Sequence, residues 1–290
     1  MQKRDRDLLK FEEYGQTQFD SIDSFFAASP VLGLSSIYAK GRFIDVLHID
    51  RGASTTLIGF HAAVPDSFTY PFFSGVGMTD DMDVNFLGFS DPFIGGDQGF
   101  STGWFIGSKE LPLQELLPSI IRHYISDAGQ RRLIFFGSSA GGFAALYFSS
   151  VFPGSLAIAV NPRTDLEIEP TSFHEYAETI FRDRSPTELK SFVTTRLSEQ
   201  YAAGAPNTVA YMQNSQDRRY FERHMQPFLH SIGSSNNIHF LVDAWGIGHV
   251  PPPSATLRKI VRTLIAAAPN WASAMPKLGF GRPAELAKES

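Results

Sequence analysis

The 290-residue chain is 43% hydrophobic and 19% charged with a formal net charge of −5. That balance fits one large domain or two small ones with a sizeable core, and argues against disorder and against a nucleic-acid-binding surface. Cysteine is absent, which excludes disulfides, thiolate nucleophiles and cysteine-held zinc or iron–sulfur centres. The charged start MQKRDRD has no apolar core behind it and no run approaches a membrane span, so a soluble, cytoplasmic protein is expected.

Residues 1–34 read as an N-terminal extension ahead of a domain spanning 35–268. Phe43–Ile49 alternates apolar and polar residues, as an antiparallel strand does, and Asp50-Arg51-Gly52 is a turn. Thr55–Phe60 is a β-branched run expected to be a buried strand opening into His61-Ala62-Ala63. Val84–Phe89 is a further strand, followed by a glycine-rich loop, Gly95–Gly107, whose Phe100, Trp104 and Phe105 could stack on a substrate or fill the core. Leu113–Ser126 carries a helical apolar stripe. Leu133–Phe136 is the short, wholly apolar run of a central parallel strand, and Phe143–Val151 a helix behind it. Strand Ser155–Val160 follows. Residues 166–205 then interrupt the alternation with charged helical patterns, as a helical cap insertion would. Strand Thr208–Gln213, helix Arg218–Ile232, strand Ile238–Val242 and helix Ser254–Ala267 complete the series, and 269–290 reads as a loosely packed C-terminal tail. Strands alternating with helices predict an α/β class with a mostly parallel sheet.

Between the apolar run LIFF and the helix stands Gly137-Ser138-Ser139-Ala140-Gly141, the G-x-S-x-G of a nucleophile elbow. A serine hydroxyl needs a base within reach to attack a carbonyl. In the order Ser…Asp/Glu…His, Asp217 ends the strand Thr208–Gln213 and His249 lies in the loop after Ile238–Val242, flanked by glycines. Asp217 could also cap the helix after it. Asp165 and Asp243 are rival acids, since both lie at strand ends. The backbone N–H of Ala140 is the first expected oxyanion donor and that of Ala63 the second, with Ala62 the alternative. His61 reads as structural. Asp80-Asp81-Met82-Asp83 reads as a solvated turn before it reads as a cation site. Arg131-Arg132 and Arg218-Arg219 either bind an anion or face water. No metal ligand set and no bound cofactor are expected.

LIFFGSSAGGFAAL, NPRTDL, QNSQD and WGIGHVPPP together resemble the α/β-hydrolase superfamily over roughly residues 35–268. Within it they are similar to serine-dependent bacterial capsular and cell-surface glycan O-acetyltransferases and to relatives in accessory secretion. The resemblance implies an α/β-hydrolase fold, a triad of Ser139, Asp217 and His249, and transfer of acetyl or another short acyl group. It also implies acetyl-CoA as co-substrate in a transferase, and a small acyl ester or a surface polysaccharide as the other partner. His61-Ala62-Ala63 departs from the glycine-rich oxyanion segment of lipases and esterases. A carboxylesterase that hydrolyses small or glycan esters, and a non-catalytic scaffold subunit, stay open as alternatives, as does an oligomer.

Overall fold

The computed structural model describes residues 4–95, 99–125, 132–168, 170–182, 186–232 and 237–282. Arg131 and the end of the C-terminal tail, 283–290, lie outside the described residues. Nine strands form one sheet: β1 (Gln16–Phe19), β2 (Gly33–Ala39), β3 (Arg42–Ile49), β4 (Thr55–Phe60), β5 (Asn85–Ser90), β6 (Arg132–Ser138), β7 (Leu156–Val160), β8 (Thr208–Asn214) and β9 (Asn237–Asp243). Their order is β1-β2-β3-β5-β4-β6-β7-β8-β9. β3 runs against the other eight, pairing antiparallel with β2 and β5.

Period-two alternation sends successive residues of each buried strand to opposite faces. Phe60, Phe135, Val209 and Tyr211 enter one core, and Leu57, Ile134, Phe136 and Met212 enter the other. This is why the central strands read as continuous apolar runs: both faces are covered. The first face is covered by α1 (Leu113–Ile125) and α2 (Ala140–Ser150), whose apolar residues are buried. The second is covered by α3 (Ser254–Ala266), which buries Ile260, Val261, Leu264 and Ile265.

Most expected elements lie within two or three residues of their place, but three stretches differ. The sheet begins in the N-terminal extension, with β1 and the first two residues of β2. The pattern GLSSIYA hides β2, because Ser35 and Ser36 are buried polar residues that hydrogen bonding satisfies: Ser36 Oγ donates to Asp45 and Tyr124 Oη donates to Ser35 Oγ. The single helix expected at 218–232 is broken into Arg218–Tyr220, a π-helical turn Phe221–Met225, and Gln226–Ser231. Pro227 has no N–H and its ring crowds the preceding turn, which widens the helix locally. Residues 270–282 are not loose: Trp271, Met275 and Phe280 are buried in the second core, and Gly281 forms an antiparallel bridge with Phe240.

Residues 166–205 contain short helical segments at Pro170–Tyr176, Ala177–Phe181, Pro186–Leu189 and Leu197–Ala202. Tyr176 and Tyr201 are fully buried, and Asp165 and Arg196 close the segment with an ion pair and an isolated bridge. No helix among the described residues is long and apolar enough to cross a membrane.

Candidate active site

The chain leaves β4 to form β5 on one side and returns to form β6 on the other, so the sheet reverses its order at β4. Such a switch opens a crevice at the carboxyl ends of the strands. The loops that follow β4, β6, β7, β8 and β9 all end there, and they carry His61, Ser139, Asn161, Asp217 and His249.

Ser139 stands between β6 and α2 with φ 53° and ψ −113°, a backbone state that side chains rarely adopt and that costs about 1–3 kcal/mol. Hydrogen bonds hold it: Ser139 N–H donates to Val160 O at 2.9 Å, and its own carbonyl accepts from Phe143 N–H at 3.2 Å and Arg163 N–H at 3.1 Å. The glycines of the motif are required by space. A Cβ on Gly137 would collide with the Gly141 carbonyl, and one on Gly141 would strike the carbonyl oxygens of Phe60 and His61. Strand, turn and helix are therefore as close as backbones can come, and Ser139 is thrust out at the turn, half-buried.

Asp217 and His249 meet. His249 Nδ1–H donates to Asp217 Oδ2 at 2.5 Å, which leaves Nε2 with its lone pair available. Of the three candidate acids only Asp217 is bonded to this histidine. Asp165 is paired with Arg196, and Asp243 accepts from Ala244 N–H at 2.8 Å. The capping reading also holds, because Asp217 Oδ1 accepts from Tyr220 N–H at 3.3 Å. One buried carboxylate thus orients the histidine with one oxygen and starts a helix with the other.

Two asparagines that the sequence reading passed over position the histidine loop. Asn214 Nδ2 donates to Gly246 O at 2.7 Å and to Gly248 O at 2.8 Å, while Asn161 Nδ2 donates to Val250 O at 2.9 Å. The two are joined, since Asn161 Oδ1 accepts from Asn214 N–H at 2.7 Å. Both are fully buried. They sit at the ends of β7 and β8 inside NPRTDL and QNSQD, and a polar residue closing an apolar strand is the signal that could have found them.

Tyr220 was also missed, because an aromatic residue in the first turn of a helix reads as packing. Its ring lies over the His249 imidazole with centroids 3.9 Å apart and planes tilted by 31°. Its hydroxyl is 3.4 Å from Ser139 Oγ. Among the described residues this is the hydrogen bond that Ser139 Oγ makes; none joins it to His249.

On the other side, Ala140 opens α2, and the N–H groups of a first helical turn have no partner within the helix. Ala140 is buried, whereas Ala62 is half-buried and Ala63 exposed. His61 locks this segment. Its Nδ1–H donates to Ala62 O at 2.7 Å and its Nε2 accepts Asp91 N–H at 2.9 Å, so the ring is neutral. Burial lowers its pKa further than nearby Asp91 raises it. Asp91 in turn accepts the N–H groups of Phe93, Gly103 and Phe105. Phe100, Trp104 and Phe105 are buried, which decides their open reading in favour of core. Arg163 is also buried, with its guanidinium 5.4 Å from the Trp104 ring. Asp81 is taken up by Arg258 and Arg262, and among the described residues no cluster of His, Asp and Glu is placed to hold a metal.

His224 lies behind Tyr220, with ring centroids 4.7 Å apart, and is fully buried. Burial, then nearby Arg163, pushes its pKa down to about 3. Unfolded, a histidine protonates near 6.5. Below that pH the unfolded chain binds protons that His61 and His224 refuse in the fold. Their contribution to stability is therefore complete above about pH 6.5 and falls as acid is added, for His224 by about 1.4 kcal/mol per pH unit. Urea titrations between pH 7 and 4 are expected to show this slope, and His224→Asn is expected to remove one histidine's share of it. An unchanged slope in the variant would contradict the assignment.

No protein-family profile and no curated protein matches the chain. Solved structures do. The chain is similar to the capsule O-acetyltransferase of Neisseria meningitidis serogroup A, with TM-score 0.60 and 16% identity over 82% of this chain and 97% of that one. A mutant of that protein, similar at TM-score 0.55 and 15% identity over 78% and 95% of the two chains, was solved with CoA. An S-formylglutathione hydrolase of Agrobacterium tumefaciens gives TM-score 0.51 at 13% identity, over 83% of this chain and 93% of that one. A putative esterase from Staphylococcus aureus gives 0.53 at 10%, over 83% and 84%. At these identities the likeness is one of fold, and the fold is that of the α/β hydrolases.

Proposed function

We propose that the protein is a serine-dependent acyl-transfer enzyme in which Ser139, His249 and Asp217 form a triad. The observation that carries the reading is the strained serine at a strand–helix elbow, on the same sheet edge as a histidine bonded to a buried aspartate. His249 Nε2 takes the Ser139 proton as Oγ bonds to the acyl carbon of an ester or thioester. The N–H groups of Ala140 and Ala63 receive the oxyanion that forms. As the tetrahedral species collapses, the bond to the alcohol or thiol breaks and that group leaves with the proton from His249. An acceptor hydroxyl then gives its proton to His249 and attacks the acyl-serine, and Ser139 recovers the proton.

The acceptor is the second part of the proposal. A sugar hydroxyl of a surface polysaccharide, with acetyl-CoA as acyl donor, is supported by the fold likeness to a capsule O-acetyltransferase and by that protein's structure with CoA. The carboxylesterase alternative is supported by the likeness to ester hydrolases. Purified protein supplied with acetyl-CoA and a panel of bacterial polysaccharides is expected to release CoA faster with one polysaccharide than without any, and to leave O-acetyl groups on it by NMR. Rapid hydrolysis of p-nitrophenyl acetate, with no polysaccharide raising CoA release, would favour the esterase.

A further inference from the structure

The triad reading uses Ser139, Asp217 and His249 but leaves Tyr220 without a role, although Tyr220 touches the first and last of them and takes a cap from the second. Its hydroxyl holds the hydrogen bond of Ser139 Oγ that a base must hold for proton transfer. Its ring rests on the imidazole that would do so. At 3.4 Å the O–H···O contact is well beyond the usual 2.7–2.8 Å, so it is weak and easily exchanged. The ring is anchored at its root, because Asp217 accepts the Tyr220 N–H with Oδ1 while it holds His249 Nδ1 with Oδ2. His224, which burial keeps neutral, also packs against the ring, with centroids 4.7 Å apart.

Resting on the triad reading, we infer that Tyr220 is a gate on the nucleophile. In the free protein its hydroxyl diverts Ser139 from His249, and an acyl substrate seated against Ser139 displaces that hydroxyl and lets the serine–histidine bond form. Tyr220 is therefore a positioning residue. Its ring and its hydroxyl act in opposite directions, the ring steadying the imidazole and the hydroxyl holding the serine back.

The opposition makes the inference testable with two variants. In Tyr220→Phe the ring stays and the diverting bond is lost. In Tyr220→Ala both go. The reporter is a small fluorophosphonate, with which Ser139 Oγ forms a bond to phosphorus as fluoride leaves and His249 takes the proton. Labelling of Ser139, followed by peptide mass spectrometry from pH 5 to 9, is expected to be about two- to fivefold faster in Tyr220→Phe than in wild type, the lower part of what one neutral hydrogen bond contributes. The pH midpoint is expected to be unchanged, and Tyr220→Ala is expected to be slower than Tyr220→Phe. A Tyr220→Phe rate equal to or below wild type would overturn the gate, provided that the wild type labels and His249→Ala does not. A wild type that is never labelled, or that labels equally well in His249→Ala, would instead overturn the triad reading beneath it.

Discussion

Ser139→Ala is expected to abolish fluorophosphonate labelling and to lower acyl transfer by about 10³-fold or more, and His249→Ala to do nearly as much. Members of a triad act as a unit, so the loss of one removes most of what all of them contribute. The geometry also ranks the acids. Asp217→Ala removes the acceptor that fixes His249 Nδ1–H at 2.5 Å and frees the ring to take the wrong tautomer, so a loss of several orders of magnitude is expected. Asp165→Ala breaks an ion pair with Arg196, and Asp243→Ala an exposed turn. Neither is expected to move labelling far from wild type. Equal labelling in Asp217→Ala and wild type, both well folded by circular dichroism, would remove the aspartate from the triad.

Gly141→Ala is expected to lower the unfolding free energy by about 3 kcal/mol and to slow labelling with it. Alanine is the better helix former by about 1 kcal/mol, and Gly141 lies inside α2 without a positive φ, so helix propensity predicts the opposite sign. The clash reverses it. A Cβ here falls against the Phe60 carbonyl and within 2.7 Å of the His61 carbonyl oxygen. Both belong to the backbone at the end of β4 and cannot rotate away. Either α2 lifts from the sheet, taking Ser139 with it, or the His61 segment moves and the candidate oxyanion donors with it. Gly154→Ala is the control, because its Cβ meets nothing within 4 Å and only its φ of 73° is penalised, by about 1–2 kcal/mol. Urea denaturation of the two variants that gave Gly141→Ala no larger a loss than Gly154→Ala would refute the close-packing account of the elbow.

Elements with a strong local pattern were legible from the residues. LIFF, TTLIGF and SLAIAV are apolar throughout because both faces of a central parallel strand are covered, and each stands within two residues of its observed strand at the end where its loop begins. The elbow was legible for the same local reason, since glycine, serine and alanine are what a tight strand–turn–helix allows. β2 was not, because Ser35 and Ser36 break the apolar alternation, and they are satisfied across the fold, Ser35 by Tyr124, 89 positions away, and Ser36 by Asp45 on the neighbouring strand.

Chain order by itself determined which serine, aspartate and histidine could be considered together, since each follows its own strand and parallel strands deliver their ends to one edge. It favoured Asp217, which ends the second-last strand, over its rivals Asp165 and Asp243, but could not show that Asp217 is the one bonded to His249, nor that Asn161 and Asn214 clamp the histidine loop, nor place Tyr220 against both Ser139 and His249. Those are contacts between residues 29 to 89 positions apart. They depend on the order and twist of the strands and on where each loop closes over the crevice. No pattern within a single segment encodes a distance between two of them, and tertiary packing alone decides it.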